Sequence, residues 1–207
     1  MKYVKSLEFL ENDICRVILD DYTVLELDAF SVSASTVQPE SEVEDEVIEE
    51  LIAKTENLKA QKLATKFINT KMRTEMQLVK LLRQKGVSED AAENTVLQMK
   101  EFGYIDDKAY ARTFIEYRLE GSKKSFKAIA YELRLEGVSN DDINEVFAEF
   151  DTDEEKRAEL VAEKVMKGRA DEASVKKLSG ILQRNGFGWS EISHIMKIYG
   201  KNDGEEY

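Results

Sequence analysis

The residues best suited to chemistry in this chain are few and poorly grouped. His194 is the only histidine and Cys15 the only cysteine among 207 residues. A zinc site needs about four nitrogen, sulfur or carboxylate ligands at set spacings, and neither residue has such companions in sequence. Cys15 reads as a strand residue with one side buried. A lone cysteine forms no internal disulfide and suits a reducing cytosol. His194, between Ile192 and Ile195, reads as a helix residue. Adjacent carboxylates occur at Asp106-Asp107 and Asp141-Asp142. Such pairs can hold a hard cation, but both stand at expected helix starts, where capping and the helix dipole account for them. There is no Gly-x-Gly-x-x-Gly, no phosphate loop ending in Gly-Lys-Ser/Thr and no Gly-x-Ser-x-Gly. The sequence therefore offers no catalytic, metal or cofactor site, and it argues against an enzyme.

Charge is the stronger signal. The net charge is −12, but residues 1–58 hold 4 basic and 15 acidic residues, whereas 59–207 hold 26 and 27. The acidity thus belongs to the N-terminal segment. Residues 59–85 carry eight basic side chains against the single acid Glu75. From this stretch Lys71, Arg73, Lys80, Arg83 and Lys85 are candidates to contact phosphates or an acidic protein groove, with Lys123, Lys124 and Lys127 as a second group. No apolar stretch approaches the roughly 18 residues of a membrane span, and Met1–Leu10 lacks the apolar core of a signal peptide.

The elements that position these charges repeat. Leu78, Leu82 and Gly86 recur as Ile129, Leu133 and Gly137, and again as Leu178, Leu182 and Gly186. The apolar pair at i, i+4 followed by glycine reads as a helix with a left-handed terminator. Each glycine precedes a further apolar helix, capped by Ser88, Ser139 or Gly188. A period near 50 residues marks a chain built from stacked helical units. The expected fold is mainly α, an elongated curved array of tandem three-helix repeats at 59–106, 107–151 and 152–200. A small N-terminal segment at 1–58 holds a β-hairpin or three strands, around Val4–Phe9, Arg16–Leu19 and Thr23–Leu27, then a loop at 31–42 and a helix from Ser41 or just after it. Residues 201–207 read as a polar tail. In the third repeat Leu160, Val161 and Val165 are expected to be buried, and Trp189 is expected in the core.

A resemblance rests on the residues between the glycines. Gly103-Tyr104-Ile105-Asp106-Asp107, then Tyr110-Ala111, Phe114-Ile115 and Arg118, resembles the signature of the RecX family of recombination regulators. Arg73–Leu78 ahead of Lys85-Gly86-Val87 is similar to the family's first-repeat pattern, and Ile129, Glu132-Leu133 and Gly137-Val138 to its second. The likeness covers residues 60–150 well and 151–200 loosely. The chain departs from the pattern at Thr74, where the family usually has Ser. It departs again at Ser122–Ser125, where the family often has a glycine-basic step. The resemblance implies a cytoplasmic, non-enzymatic protein that binds the RecA recombinase filament; a monomer is expected. Family members modulate, and usually inhibit, its ATPase, strand-exchange and co-protease activities. The cationic candidates would then meet recombinase surface or DNA phosphates within the filament. Two other classes compete: a DNA-binding module of helix-turn-helix type, and a scaffold for an unrelated protein. Against the first, Glu132, Glu136, Asp141, Asp142, Glu145 and Glu149 are poor company for a major groove.

Overall fold

The structure, a computed structural model, describes residues 1–167 and 171–200; the polar stretch 201–207 lies outside them. The chain divides into two compact units, Met1–Ile105 and Asp106–Tyr207.

The first unit opens with an antiparallel sheet of β1 (Lys2–Phe9), β2 (Ile14–Leu19), β3 (Val24–Asp28) and β4 (Ser41–Val43), ordered β3-β2-β1-β4. Alternation along β2 buries Cys15, Val17 and Leu19 completely. Burial pushes the Cys15 thiol up from its ordinary range. On the other face Arg16 bridges Glu8 at 3.1 Å and Glu26 at 3.2 Å. The three expected strands are present, and the loop expected over 31–42 contains more structure. Asp28 caps a short helix, α1 (Ala29–Ser33), by accepting from the Ser31 amide at 2.8 Å. The helix expected at Ser41 or just after it starts at Asp45. Ser41–Val43 pairs with Lys2–Val4, and this strand pairing overrides the capping signal of Ser41.

The long helix α2 (Asp45–Ile68) joins two cores. Ile48 and Leu51 pack with Val4, Val17 and Leu27 of the sheet. Ala60 and Ala64 pack with Leu78, Leu82 and Val96. From Leu51 to Ala60 is two and a half turns at 3.6 residues per turn, so opposite sides of one helix face the two cores. The sequence boundary at 58/59 falls inside it. With α3 (Glu75–Gln84) and α4 (Glu89–Glu101), the second half of α2 completes the first three-helix repeat.

The second unit holds α5 (Asp107–Gly121), α6 (Phe126–Leu135) and α7 (Asn140–Phe147), then α8 (Glu154–Met166), α9 (Glu172–Arg184) and α10 (Trp189–Tyr199). Thr74, Ser88, Asp106, Ser125 and Ser139 each accept a backbone amide as side-chain caps. Gly86, Gly137 and Gly186 take the left-handed conformation that ends each repeat's second helix, at φ 79°, 96° and 87°. The residue after each glycine is buried: Val87, Val138 and Phe187. Trp189, expected in the core, is 83% exposed, because Phe187 already fills that place and Trp189 stands on the first turn of α10. Leu160 also faces outward, while Ala158, Val161, Ala162 and Met166 make the buried face of α8.

Candidate interaction surface

Of the cations singled out in the first unit, Lys80 and Arg83 lie on α3. The buried face of this helix, Leu78 and Leu82, turns the 76, 80, 83 and 84 positions outward. There Met76, Val79, Lys80, Arg83 and Gln84 line a shallow depression of about 480 Å³. Lys85 caps the C-terminal end of α3, and Lys71 lies in the connection before it; both are exposed. Lys71, Lys80 and Lys85 form no ion pair among the described residues. Arg83 pairs with Glu89 at 2.8 Å while staying half exposed. Arg73 turns inward: its guanidinium lies 5.9 Å from the Phe67 ring and its Nε donates to the Phe67 carbonyl at 3.4 Å. The site on the first unit is thus an amphipathic face, with the free ammonium of Lys80 beside exposed Met76 and two further unpaired lysines flanking the helix.

The second group, Lys123 and Lys124 in the α5–α6 connection and Lys127 on the first turn of α6, divides differently. Lys124 and Arg118 converge on Glu132, Arg118 at 2.9 Å. Lys123 and Lys127 remain exposed and form no ion pair among the described residues. The backbone of this connection is held by α8 and by the turn before α10. Arg157, 6% exposed, donates to the carbonyls of Arg118, Leu119, Ser122 and Lys124 at 2.9–3.4 Å. It satisfies groups that the end of α5 leaves open. Burial draws its pKa down, and Glu154 opposes that shift. Glu154 accepts from the amides of Phe126 and Lys127 at 3.2 and 3.0 Å. Ser125, fully buried, donates its amide to Asn185 O and its hydroxyl to Gly186 O, both at 2.9 Å.

Other cations of the second unit are committed. Lys108 meets Glu145 at 2.6 Å and Arg112 meets Glu149 at 2.6 Å, and these hydrogen bonds raise both basic pKa values. The acids of α7 are therefore partly neutralised by α5. His194 pairs with Glu159 at 2.7 Å. Asp106 and Asp142 serve at helix starts, as capping requires: Asp106 accepts the Ala109 amide and Asp142 the Ser139 hydroxyl.

Sequence reasoning missed the exposed aromatics. Phe102 and Tyr104 flank Gly103 with their rings 6.4 Å apart. Tyr131 and Leu135 project from α6, with Arg134 6.0 Å from the Tyr131 ring. Trp189 projects from the first turn of α10, and the residue before it lies near α6: a Cβ added to Gly188 would lie 3.9 Å from Lys127 Nζ. The register of the repeat carried that signal. Trp189 occupies the place of Glu89 and Asn140, both first-turn residues that face solvent.

No helix among the described residues is long and apolar enough to cross a membrane. Fold and surface together define a tandem three-helix repeat protein with a small N-terminal sheet. The family model for the second three-helix domain of RecX matches residues 106–146, which span α5 to α7. Regulatory protein RecX of Clostridium botulinum (strain Alaska E43) is 33% identical over 182 residues, covering 82% of this chain and 84% of that protein. Its counterpart in Caldanaerobacter subterraneus is 32% identical over 174 residues, covering 82% and 86%. The chain belongs to the RecX family of regulatory proteins. A crystal structure of a regulatory protein RecX shares the fold at a TM-score of 0.65 and 19% identity, over 95% of this chain and 100% of that one. RecX from Lactobacillus salivarius does so at 0.60 and 20%, over 70% and 97%.

Proposed function

We propose that this protein is a non-enzymatic regulator that binds the RecA nucleoprotein filament in the cytoplasm and restrains its ATPase, strand-exchange and co-protease activities in DNA repair and the SOS response. Family membership supports the regulatory role. The observation that carries the contact is the face of α3, where Lys80 stays unpaired beside exposed Met76, with unpaired Lys71 and Lys85 in the segments that flank the helix. Free cations beside an apolar side chain suit an acidic protein groove or phosphates. Binding that favours one filament geometry shifts the filament's equilibrium without any chemistry by the regulator. The test is recombinase ATPase on single-stranded DNA with this protein added. Inhibition is expected, and an unchanged rate at stoichiometric excess would sink the proposal. Lys71→Glu, Lys80→Glu and Lys85→Glu combined should weaken filament binding about tenfold or more at low salt while leaving the fold intact.

A second reading, direct contact with single-stranded nucleic acid, is favoured by exposed Tyr131 with Arg134 over its ring, and by exposed Trp189, whose neighbour Gly188 lies near Lys127. Aromatic rings stack on bases and nearby cations meet the phosphates. Trp189 is the only tryptophan, so quenching of its fluorescence by oligothymidylate, lost as salt rises, is the readout for this reading.

A further inference from the structure

The first unit contains a second concave surface, distant in sequence from the α3 face. A cleft of about 530 Å³ opens between the rim of the sheet and the middle of α2. It exists because α2 turns one side to the sheet core and the other to the repeat core, so that the flank carrying Thr55, Leu58, Lys59, Lys62 and Lys66 stays open between them, with Leu63 at the border of the repeat core. Ile14, Leu58 and Leu63 line it and remain half-buried.

The charges around the cleft are unevenly committed. Its three acids have partners: Glu26 meets Arg16 at 3.2 Å, Asp28 accepts the Ser31 hydroxyl at 2.7 Å, and Asp13 faces Lys62 at 3.9 Å. Lys59 and Lys66, on the α2 wall, form no ion pair among the described residues. The charges of the cleft without an ion-pair partner are thus two ammonium groups against the single carboxylate of Asp28.

The rim is also an open strand edge. β3 has β2 as its one neighbour. The Leu19 amide bonds to Thr23 O and the Ala29 amide to Asp13 O. With the register of the pair, the odd-numbered residues of β3 face β2, and Val24, Glu26 and Asp28 face outward. Thr55 Oγ1 closes the Asp28 amide at 2.9 Å. The outward groups of Val24 and Glu26 are left as a template for another strand.

We propose that this cleft docks an extended peptide segment of a partner protein, with apolar and acidic side chains alternating, that adds as a strand beside β3. Main-chain bonds to Val24 and Glu26 supply the pairing. Apolar side chains enter between Ile14, Leu58 and Leu63, and carboxylates meet Lys59 and Lys66. This inference does not depend on recombinase binding, and its test contains no recombinase.

Random short peptides displayed on phage are selected against the full chain, and an enriched peptide is synthesised and titrated by fluorescence anisotropy. The expected peptide alternates apolar and acidic residues and shifts the amide resonances of residues 24–28 and 58–66. Lys59→Glu with Lys66→Glu should weaken it at least about tenfold, as should N-methylation of its strand-pairing amides, a change that leaves the protein untouched. Enrichment of basic peptides, no enrichment, or affinity indifferent to both changes would overturn the proposal. So would a dimer of this chain that Glu26→Pro dissociates, since that assigns the edge to a second copy.

Discussion

The two basic regions, residues 71–85 and 118–127, look alike in sequence and differ in use. In the first, Lys71, Lys80 and Lys85 reach solvent without ion pairs among the described residues. In the second, Arg118 and Lys124 are drawn onto Glu132, and the backbone between them is gripped by Arg157, Glu154 and the Asn185-Gly186 turn. One region presents charge; the other joins the second and third repeats. Local net charge in a sequence is therefore not surface charge, because a cation counts toward a partner only after its neighbours in the fold have taken their share.

The largest effect should come from the joint. Arg157→Ala strips four carbonyls of a buried donor and should cost about 3–5 kcal/mol of stability, measured by urea denaturation. Lys80→Ala, on the free face, should stay within about 0.5 kcal/mol. Equal costs would erase the distinction between the two regions.

The repeat glycines sharpen the same contrast. A Cβ at Gly86 meets nothing within 4 Å, whereas one at Gly186 would lie 2.8 Å from Ala128 Cβ and 2.9 Å from Ser125 Oγ. Gly86→Ala should cost about 1–2 kcal/mol, the left-handed penalty alone. Gly186→Ala adds overlap inside the joint, and its cost should exceed that of Gly86→Ala by about 1–3 kcal/mol. Melting curves of the pair test this, and a smaller loss at Gly186 would show that the joint yields.

Trp189 offers a finer comparison with its neighbour. Phe187→Ala removes a buried ring and should cost about 3 kcal/mol or more, while Trp189→Ala should move the melting curve little, within about 0.5 kcal/mol. Tryptophan emission at a solvent-exposed wavelength in the folded chain is the companion measurement.

Acid should have the smallest effect, and its direction follows from two carboxylates of the second unit. Arg112 holds Glu149 below its ordinary range, and the Lys156 amide does the same for Asp153. Their stabilisation is complete above the unfolded carboxylate range, about pH 4, and is lost as pH falls through their lowered folded values. The melting temperature should therefore decline as pH falls below about 4; a rise would contradict the assignment.

Much of the fold was legible. The caps at Ser88, Asp106 and Ser139 and the glycine stops depend on bonds within a few residues, so local sequence carries them. Helix α2 resisted because its buried face changes sides between Leu51 and Ala60, which breaks the 3.6-residue pattern at the point where a boundary was drawn. β4 was hidden for another reason: three residues carry no periodic signal, and β1 alone recruits them.

By itself the sequence determined the class: three-helix repeats after a short β segment, no grouped catalytic residues, and an excess of cations at 59–85. Those conclusions rest on composition and short-range spacing. Tertiary structure alone decided which cations stay free, that Arg157 holds the α5–α6 connection, that Trp189 faces water, and that α2 leaves a cleft beside β3. The joint in particular depends on partners 27 to 61 residues apart in the chain, such as Lys127 with Glu154 and Ser125 with Gly186, and no local pattern encodes which of them will meet.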